Sequence, residues 1–143
     1  MKPIDQLVPD AAAFDRAVIV GLGVAVGNTI KKAKLRARLQ HEWRDRTYAT
    51  RESIDGDAQP TGDGASGYLQ AGANAVRLNE GTPPHEIRAR RKKFLRFVQG
   101  GAVRFARSVN HPGTRPDPYL EAAQEFAGAE IDRAVGALLD GLL

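Results

Sequence analysis

The chain has 143 residues, of which 42% are hydrophobic and 27% are charged, and its formal net charge at pH 7 is +4. This length and composition predict a single globular domain over residues 1–143 with its own buried core. The absence of cysteine excludes disulfides and thiolate metal sites.

Charge is distributed unevenly along the chain. Residues 88–107 carry eight Arg or Lys and no acid, whereas residues 117–143 carry six acids and one arginine. Such asymmetry suits either nucleic-acid binding or head-to-tail contact between copies. The most apolar run, residues 17–26, is about half the roughly 20 residues that a membrane span needs. We therefore expect a soluble protein with no targeting segment and no membrane partner.

The first predicted element is an amphipathic helix of about thirty residues that begins after an N-cap at Asp10. Its apolar positions recur every fourth residue and then continue towards Trp43: Phe14, Val18, Leu22, Val26, Leu35 and Leu39. Three glycines, at 21, 23 and 27, disfavour a helix interior by about 1 kcal/mol each. A buried strand over residues 18–26 is the alternative, and small residues in a helix would permit close approach of another backbone.

Residues 50–67 predict a mobile loop, because Gly, Pro, Asp, Ser and Thr dominate the segment. It carries four acids between Glu52 and Asp63 and no base. A structureless loop of this length is uncommon in a compact domain, which favours a loop with a function or one ordered by a partner. A short strand is predicted next, over residues 68–71.

Two strands, over residues 94–98 and 102–109, are predicted to form a hairpin through Gln99-Gly100-Gly101. In the second strand Val103, Phe105 and Val109 are predicted to share one face. The consecutive prolines 83 and 84 require a turn before this pair, and the His-Pro-Gly sequence at 111–113 predicts a turn after it.

The last predicted element is a helix capped by Asp117 with Pro118 at its first position. Glu121 and Glu125 favour its dipole. Its apolar face comprises Leu120, Ala123, Ala127, Ile131, Ala134, Val135, Leu138 and Leu142.

No cofactor or metal site is predicted. The Gly21–Gly27 segment has one residue too many before its third glycine for a dinucleotide loop, and no strand precedes it. His41, His85 and His111 lack the i, i+4 spacing of a helical metal site. Because His85 and His111 lie beside proline turns, we predict that their ring nitrogens bond backbone carbonyls.

No catalytic residue is predicted either. Glu80 and Glu86 flank His85, which leaves a nuclease as one hypothesis. Acid–base catalysis needs such groups held in a pocket, and a Gly-Thr-Pro-Pro turn at a strand end does not indicate one.

The strongest charge signal is a basic run with two open interpretations. The run comprises Arg88, Arg90, Arg91, Lys92, Lys93 and Arg96. It is either a solvated loop before a strand or a surface for phosphates or for the acidic face of a neighbouring subunit. Phe94 and Phe97 lie close by, and strand spacing favours core positions over base-stacking platforms for them.

Three segments together resemble a known family. They are Val-Arg-Leu-Asn-Glu-Gly-Thr-Pro-Pro-His-Glu-Ile at 76–87, Leu-Arg-Phe with Gly-Gly at 95–101, and His-Pro-Gly-Thr-Arg-Pro at 111–116 followed by Pro-Tyr-Leu-Glu-Ala-Ala. Their order and spacing resemble the neck or tail-completion (head–tail joining) proteins of long-tailed bacteriophages over residues 68–127. The motif residues at the turns are Asn79, Glu80, Gly81, Thr82, Pro83, His85, His111, Pro112 and Gly113.

The resemblance implies an α+β subunit with a long N-terminal helix, a small antiparallel sheet with a hairpin, and a C-terminal helix packed on the sheet. It implies a structural virion protein without enzymatic activity, assembled in the host cytoplasm as a homo-oligomeric ring. Its partners would be connector, tail-terminator or tail-tube proteins, and double-stranded DNA would pass through the ring. We expect Arg90, Arg91, Lys92 and Lys93 to face that lumen. A tail terminator and a small basic nucleic-acid-binding module are the alternatives.

Overall fold

The computed structural model describes residues 11–142, and within that range the predicted α+β fold is confirmed. In chain order the elements are α1 (Ala11–Leu39), α2 (Ala49–Glu52), β1 (Asp55–Thr61), β2 (Gly64–Gln70), α3 (Ala73–Glu80), β3 (His85–Arg88), β4 (Leu95–Gln99), β5 (Ala102–Ala106), β6 (Ser108–His111) and α4 (Tyr119–Leu142). The strands form three two-stranded antiparallel ladders, β1–β2, β3–β6 and β4–β5.

The long N-terminal helix is confirmed and the alternative strand over residues 18–26 is wrong. Helix α1 has 29 residues; the predicted cap at Asp10 lies outside the described residues. Gly21 has a packing role, since a Cβ there would overlap the Leu138 side chain of α4. By length and composition alone, α1 could cross a membrane, which the ten-residue apolar run did not indicate. Core helices and signal sequences meet the same test, so this does not assign a membrane role.

The buried face of α1 differs from the predicted stripe in its second half. Val26, Ile30, Ala33 and Ala37 are buried, whereas Leu35 is 57% exposed. Each residue turns a helix by about 100°, so a four-residue repeat drifts by about 40° at every step. Leu35 follows Val26 by nine residues and therefore lies about half a turn away, on the opposite side.

The prediction of a loop over residues 50–67 is wrong. Helix α2 is followed by a regular hairpin in which Asp55 pairs with Gln70 and Thr61 with Gly64. Two of the glycines that indicated a loop, Gly56 and Gly67, allow the hairpin to pack closely on α1. At Gly67, a Cβ would come within 2.6 Å of the Ile30 side chain. Glycine in a strand often marks such a close approach.

Helix α1 is the central element, with the β1–β2 hairpin and α4 both packed along it. The buried core cluster lies at the C-terminal end of α1 and joins α1, α3, α4 and the residue before β1. Its members are Ala37, Ile54, Ala75, Tyr119 and Ala123. This cluster places the end of α3 beside the start of α4, where the two turn motifs meet.

Residues 82–114 form one long two-stranded projection, which we call the β-arm. The β3–β6 and β4–β5 ladders follow one another along it, and the strands contact mainly each other. The predicted hairpin through Gly100-Gly101 is confirmed, although the second predicted strand is interrupted at Arg107. The core prediction is wrong for Phe94, which is 47% exposed, while Phe97 is only half-buried.

Candidate functional site

The two Gly-Thr motifs of the sequence meet at the base of the β-arm. The Thr82 N–H donates to the Thr114 carbonyl at 3.0 Å, and the Thr114 N–H donates back to the Thr82 carbonyl at 2.9 Å. Gly81 has φ +75 and Gly113 has φ +88, a left-handed region that favours glycine. A Cβ at Gly113 would also overlap the Thr82 carbonyl oxygen. The two segments, 32 residues apart along the chain, therefore form one structural unit.

Asn79 connects the base of the β-arm to helix α4 through side-chain hydrogen bonds. Its side chain is buried, its Oδ1 accepts the Leu120 N–H at 2.9 Å, and its Nδ2 donates to Glu121 Oε1 at 2.9 Å. It thereby satisfies a free N–H in the first turn of α4, as an N-cap does. The predicted cap, Asp117, instead accepts the Glu42 N–H through its carboxylate. Sequence reasoning missed the role of Asn79 because the contact joins residues 41 positions apart.

The two motif histidines face each other across the β3–β6 ladder. His85 pairs with His111, and their ring centroids are 5.1 Å apart. His85 Nδ1 lies 2.9 Å from the Pro83 carbonyl oxygen, as predicted. The prediction is wrong for the corresponding nitrogen of His111, which accepts the Gly113 N–H at 3.0 Å. Within residues 11–142 no group of three or more His, Cys, Asp or Glu side chains could hold a metal ion.

The carboxylate next to His85 is engaged in an ion pair. Glu86 Oε2 lies 2.7 Å from an Arg88 guanidinium nitrogen, and the hydrogen bonds from Arg88 and from Ser108 lower the pKa of the Glu86 carboxyl. The hydrogen bond to Glu86 in turn raises the pKa of Arg88. Because consecutive strand residues point to opposite faces, Glu86 and His85 are not brought together. The acid–base arrangement that a nuclease would need is not assembled from these two residues.

Within residues 11–142, the remaining residues of the basic run are exposed and have no ion-pair partner. Arg90, Arg91, Lys92 and Lys93 occupy the connection between β3 and β4, halfway along the β-arm; we call them the basic loop. In the described part of the chain none of them, and not Arg96, has a carboxylate within 4.0 Å. Phe94 follows the loop, with the Arg107 guanidinium 6.0 Å from its ring centroid. The loop is thus an uncompensated cluster of four positive charges.

The end of the β-arm carries an apolar surface that sequence reasoning missed. Arg96 pairs with Phe105 and Val98 with Val103, so these four side chains share one face, which we call the tip face. Phe105 and Val98 are each 65% exposed and Val103 is 47% exposed. The register of the hairpin was the available signal, because it places Val103 and Phe105, which were predicted to share one face, opposite Val98 and Arg96.

A surface of opposite charge lies on α4. Its solvent side carries Glu125, Gly128, Asp132, Gly136 and Asp140, which recur every three or four residues; we call it the acidic face. The three carboxylates have no described Lys or Arg partner within 4.0 Å. A Cβ at either glycine would meet no atom within 4 Å. Other acids are engaged: Glu130 pairs with Lys32 at 2.9 Å.

No protein-family model matches the chain, and neither a curated protein nor a solved structure matches it.

Proposed function

We propose that this protein is a structural component of a bacteriophage virion, placed at the head–tail junction as a neck or tail-completion protein. In this proposal copies of the chain form an oligomeric ring through which double-stranded DNA passes. Connector proteins lie on one side of the ring, and tail-tube or tail-terminator proteins lie on the other.

The observation that carries the proposal is the β-arm with its uncovered surfaces. A two-stranded hairpin is at best marginally stable on its own in water, and this one exposes three large apolar side chains at its end. Contiguous exposed apolar surface marks sites of protein contact. A projection of this kind suits a subunit whose fold is completed by neighbours in an assembly.

The motif geometry supports the same proposal. The residues on which the family resemblance rests, among them Asn79, Gly81, Thr82, His111 and Gly113, are engaged at or near the base of the β-arm. Their chemistry is structural: they bond backbone groups, occupy left-handed conformations or cap a helix. These roles are typical of a structural protein in which the motif residues hold the β-arm in place.

The basic loop supports contact with DNA in the lumen. Four unpaired positive charges at one point of each subunit would repeat around a ring and would face phosphates without reading sequence. The loop equally favours a second candidate, a small nucleic-acid-binding module that acts as a monomer. The two candidates differ in whether the protein assembles.

The test is the mass of the purified protein in solution, alone and mixed with connector or tail proteins, with free duplex DNA as a further partner. A discrete ring-sized species, alone or on a partner, is expected. Association with tail-tube ends and not with connectors would move the protein to the tail-terminator position. A monomer that ignores those proteins yet binds DNA at low salt would overturn the proposal in favour of the module, and metal-dependent DNA cleavage would favour the nuclease.

Charge-neutral variants separate the DNA contact from assembly. Changing Arg90, Arg91, Lys92 and Lys93 to Gln is expected to leave the assembled mass unchanged and to weaken DNA binding. The salt dependence of binding should also become shallower, by about 0.9 in log–log slope for each phosphate that the variant no longer neutralises. The matched control neutralises four exposed basic residues outside the β-arm: Lys31, Arg44, Arg46 and Arg77. An equal reduction of DNA binding in both variants would contradict a specific role for the loop.

A further inference from the structure

The tip face and the acidic face are complementary in charge, and the acidic face leaves room for large side chains at its glycines. The tip face presents Phe105, Val98 and Val103 with Arg96 beside them. The acidic face presents carboxylates separated by glycines with open space above them. Large apolar side chains can lie over glycine positions, and an arginine beside them can meet a carboxylate.

The charge balance of the two elements extends this complementarity beyond the contact itself. The β-arm carries eight basic residues and one acid, and α4 carries five acids and one arginine. Net charges of opposite sign attract the β-arm of one copy to α4 of another before they touch. Like charges disfavour contact between two β-arms or between two α4 helices. A second copy of the chain therefore presents the β-arm with an oppositely charged partner.

Both surfaces are exposed in one molecule. The tip face is half to two-thirds uncovered, the three carboxylates of the acidic face are exposed, and the β-arm strands contact mainly one another. A contact between different patches on two copies is heterologous, so each copy keeps one free β-arm and one free acidic face. Such contacts close into a ring when the rotation between copies permits it.

We propose that the tip face of each copy docks on the acidic face of α4 in the next copy, and that this contact is the subunit interface of the ring. The inference rests on the proposed ring and names its interface. Phe105 is the central anchor, because it offers the largest exposed apolar side chain of the tip face. Arg96 pairs with a carboxylate of the acidic face.

The experiment uses two interface variants of the whole chain, Phe105→Ser and the triple variant Glu125→Lys, Asp132→Lys, Asp140→Lys. Sedimentation across a concentration series at low salt reports self-association. Phe105→Ser is expected to self-associate at least roughly tenfold more weakly than wild type, because it removes the apolar anchor of the contact. The triple variant is expected to show a loss of similar size, because its lysines repel the basic tip face. Leu35→Ser, which removes an apolar side chain 57% exposed on α1, is the matched control and should associate like wild type.

Mixing the two variants distinguishes this interface from others. The Phe105→Ser copy keeps an intact acidic face and the lysine variant keeps an intact tip face, so the mixture should form mixed pairs but no ring. Raised salt should weaken the contact, since both surfaces are charged and exposed. Wild type that stays monomeric across the series, variants that associate like wild type, or a mixture without mixed pairs would each overturn the inference.

Failure here and failure of the proposed function give different results. A ring that forms on connector or tail proteins with unchanged mass in both variants would refute this interface and leave the virion role standing. Absence of any assembly with those proteins would refute the virion role itself.

Discussion

Replacing Asn79 should destabilise the protein more than its place near the end of a short helix suggests. In Asn79→Ala the Leu120 N–H loses its acceptor and Glu121 loses its donor. Loss of a helix cap lowers the free energy of unfolding by about 1 kcal/mol. Loss of a hydrogen bond to a charged group lowers it by about 1.5 kcal/mol, the low value being chosen because Glu121 is exposed. The better helix propensity of Ala stabilises the variant by about 0.5 kcal/mol. We expect a net loss of about 2 kcal/mol.

Denaturant unfolding followed by circular dichroism measures this loss, and thermal unfolding should show a fall in Tm of about 4 °C for each kcal/mol. Asn79→Asp separates the two bonds, because it keeps the acceptor for Leu120 but places a second carboxylate beside Glu121. Its stability should therefore be recovered in part by Glu121→Gln, whose amide can donate to the introduced carboxylate. A loss below about 0.5 kcal/mol in Asn79→Ala, or no coupling between the two changes, would refute the assignment of Asn79 as the cap of α4.

Three further predictions concern the base of the β-arm, the core and the hairpin on α1. Gly113→Ala should lower the free energy of unfolding by more than about 3 kcal/mol and speed hydrogen exchange at the Thr82 and Thr114 amides, because it adds a backbone clash to an unfavourable φ. The control Gly100→Ala, at φ +60 with no atom within 4 Å, should lower it by only about 1–2 kcal/mol. Equal losses in the two variants would contradict the clash. Tyr119→Phe removes a buried 2.8 Å hydrogen bond to the Ala75 carbonyl and should cost about 1–2 kcal/mol at pH 7. Burial, with Asp117 and Glu121 nearby, raises the pKa of Tyr119 to about 12. The stability of wild type over Tyr119→Phe should therefore be complete below pH about 10 and decrease as the pH rises to about 12. Denaturant unfolding of both proteins at pH about 10 and about 12 tests this direction. The hydrogen bond from Lys34, 2.6 Å away, lowers the pKa of Asp55. Asp55→Asn should therefore lower the denaturation midpoint at pH 7 and leave it unchanged well below pH about 3.9, where the wild-type carboxyl is protonated. A loss of stability that persists in acid would point to a cause other than the ion pair.

Much of the fold could be predicted because its signals are local. The period of the apolar residues predicted α1, Gly100-Gly101 predicted the hairpin turn, and Pro118 predicted the start of α4 within a residue. The consecutive prolines 83 and 84 and the His-Pro-Gly sequence at 111–113 correctly predicted the turns on either side of the hairpin. Each of these signals depends on the backbone preferences of a few neighbouring residues, which a sequence displays directly.

The loop prediction over residues 50–67 failed for a physical reason. Glycine indicates a turn when its conformational freedom is used, but at Gly67 it is the absence of a side chain that matters, because Ile30 occupies that space. A sequence does not show which property a glycine supplies. The exposure of Phe94 was likewise unpredictable, since strand spacing assigns a face but not whether anything covers it.

The sequence by itself determined the two long helices, the hairpin turn at Gly100-Gly101, and the separation of basic and acidic residues along the chain. Only the tertiary structure decided which of those residues meet: Thr82 with Thr114, His85 with His111, and Asn79 with the first turn of α4. It also decided that Val98, Val103 and Phe105 share an uncovered face. The reason is that strand register and long-range caps depend on contacts between segments far apart in the chain, whereas propensity and charge belong to each residue where it stands.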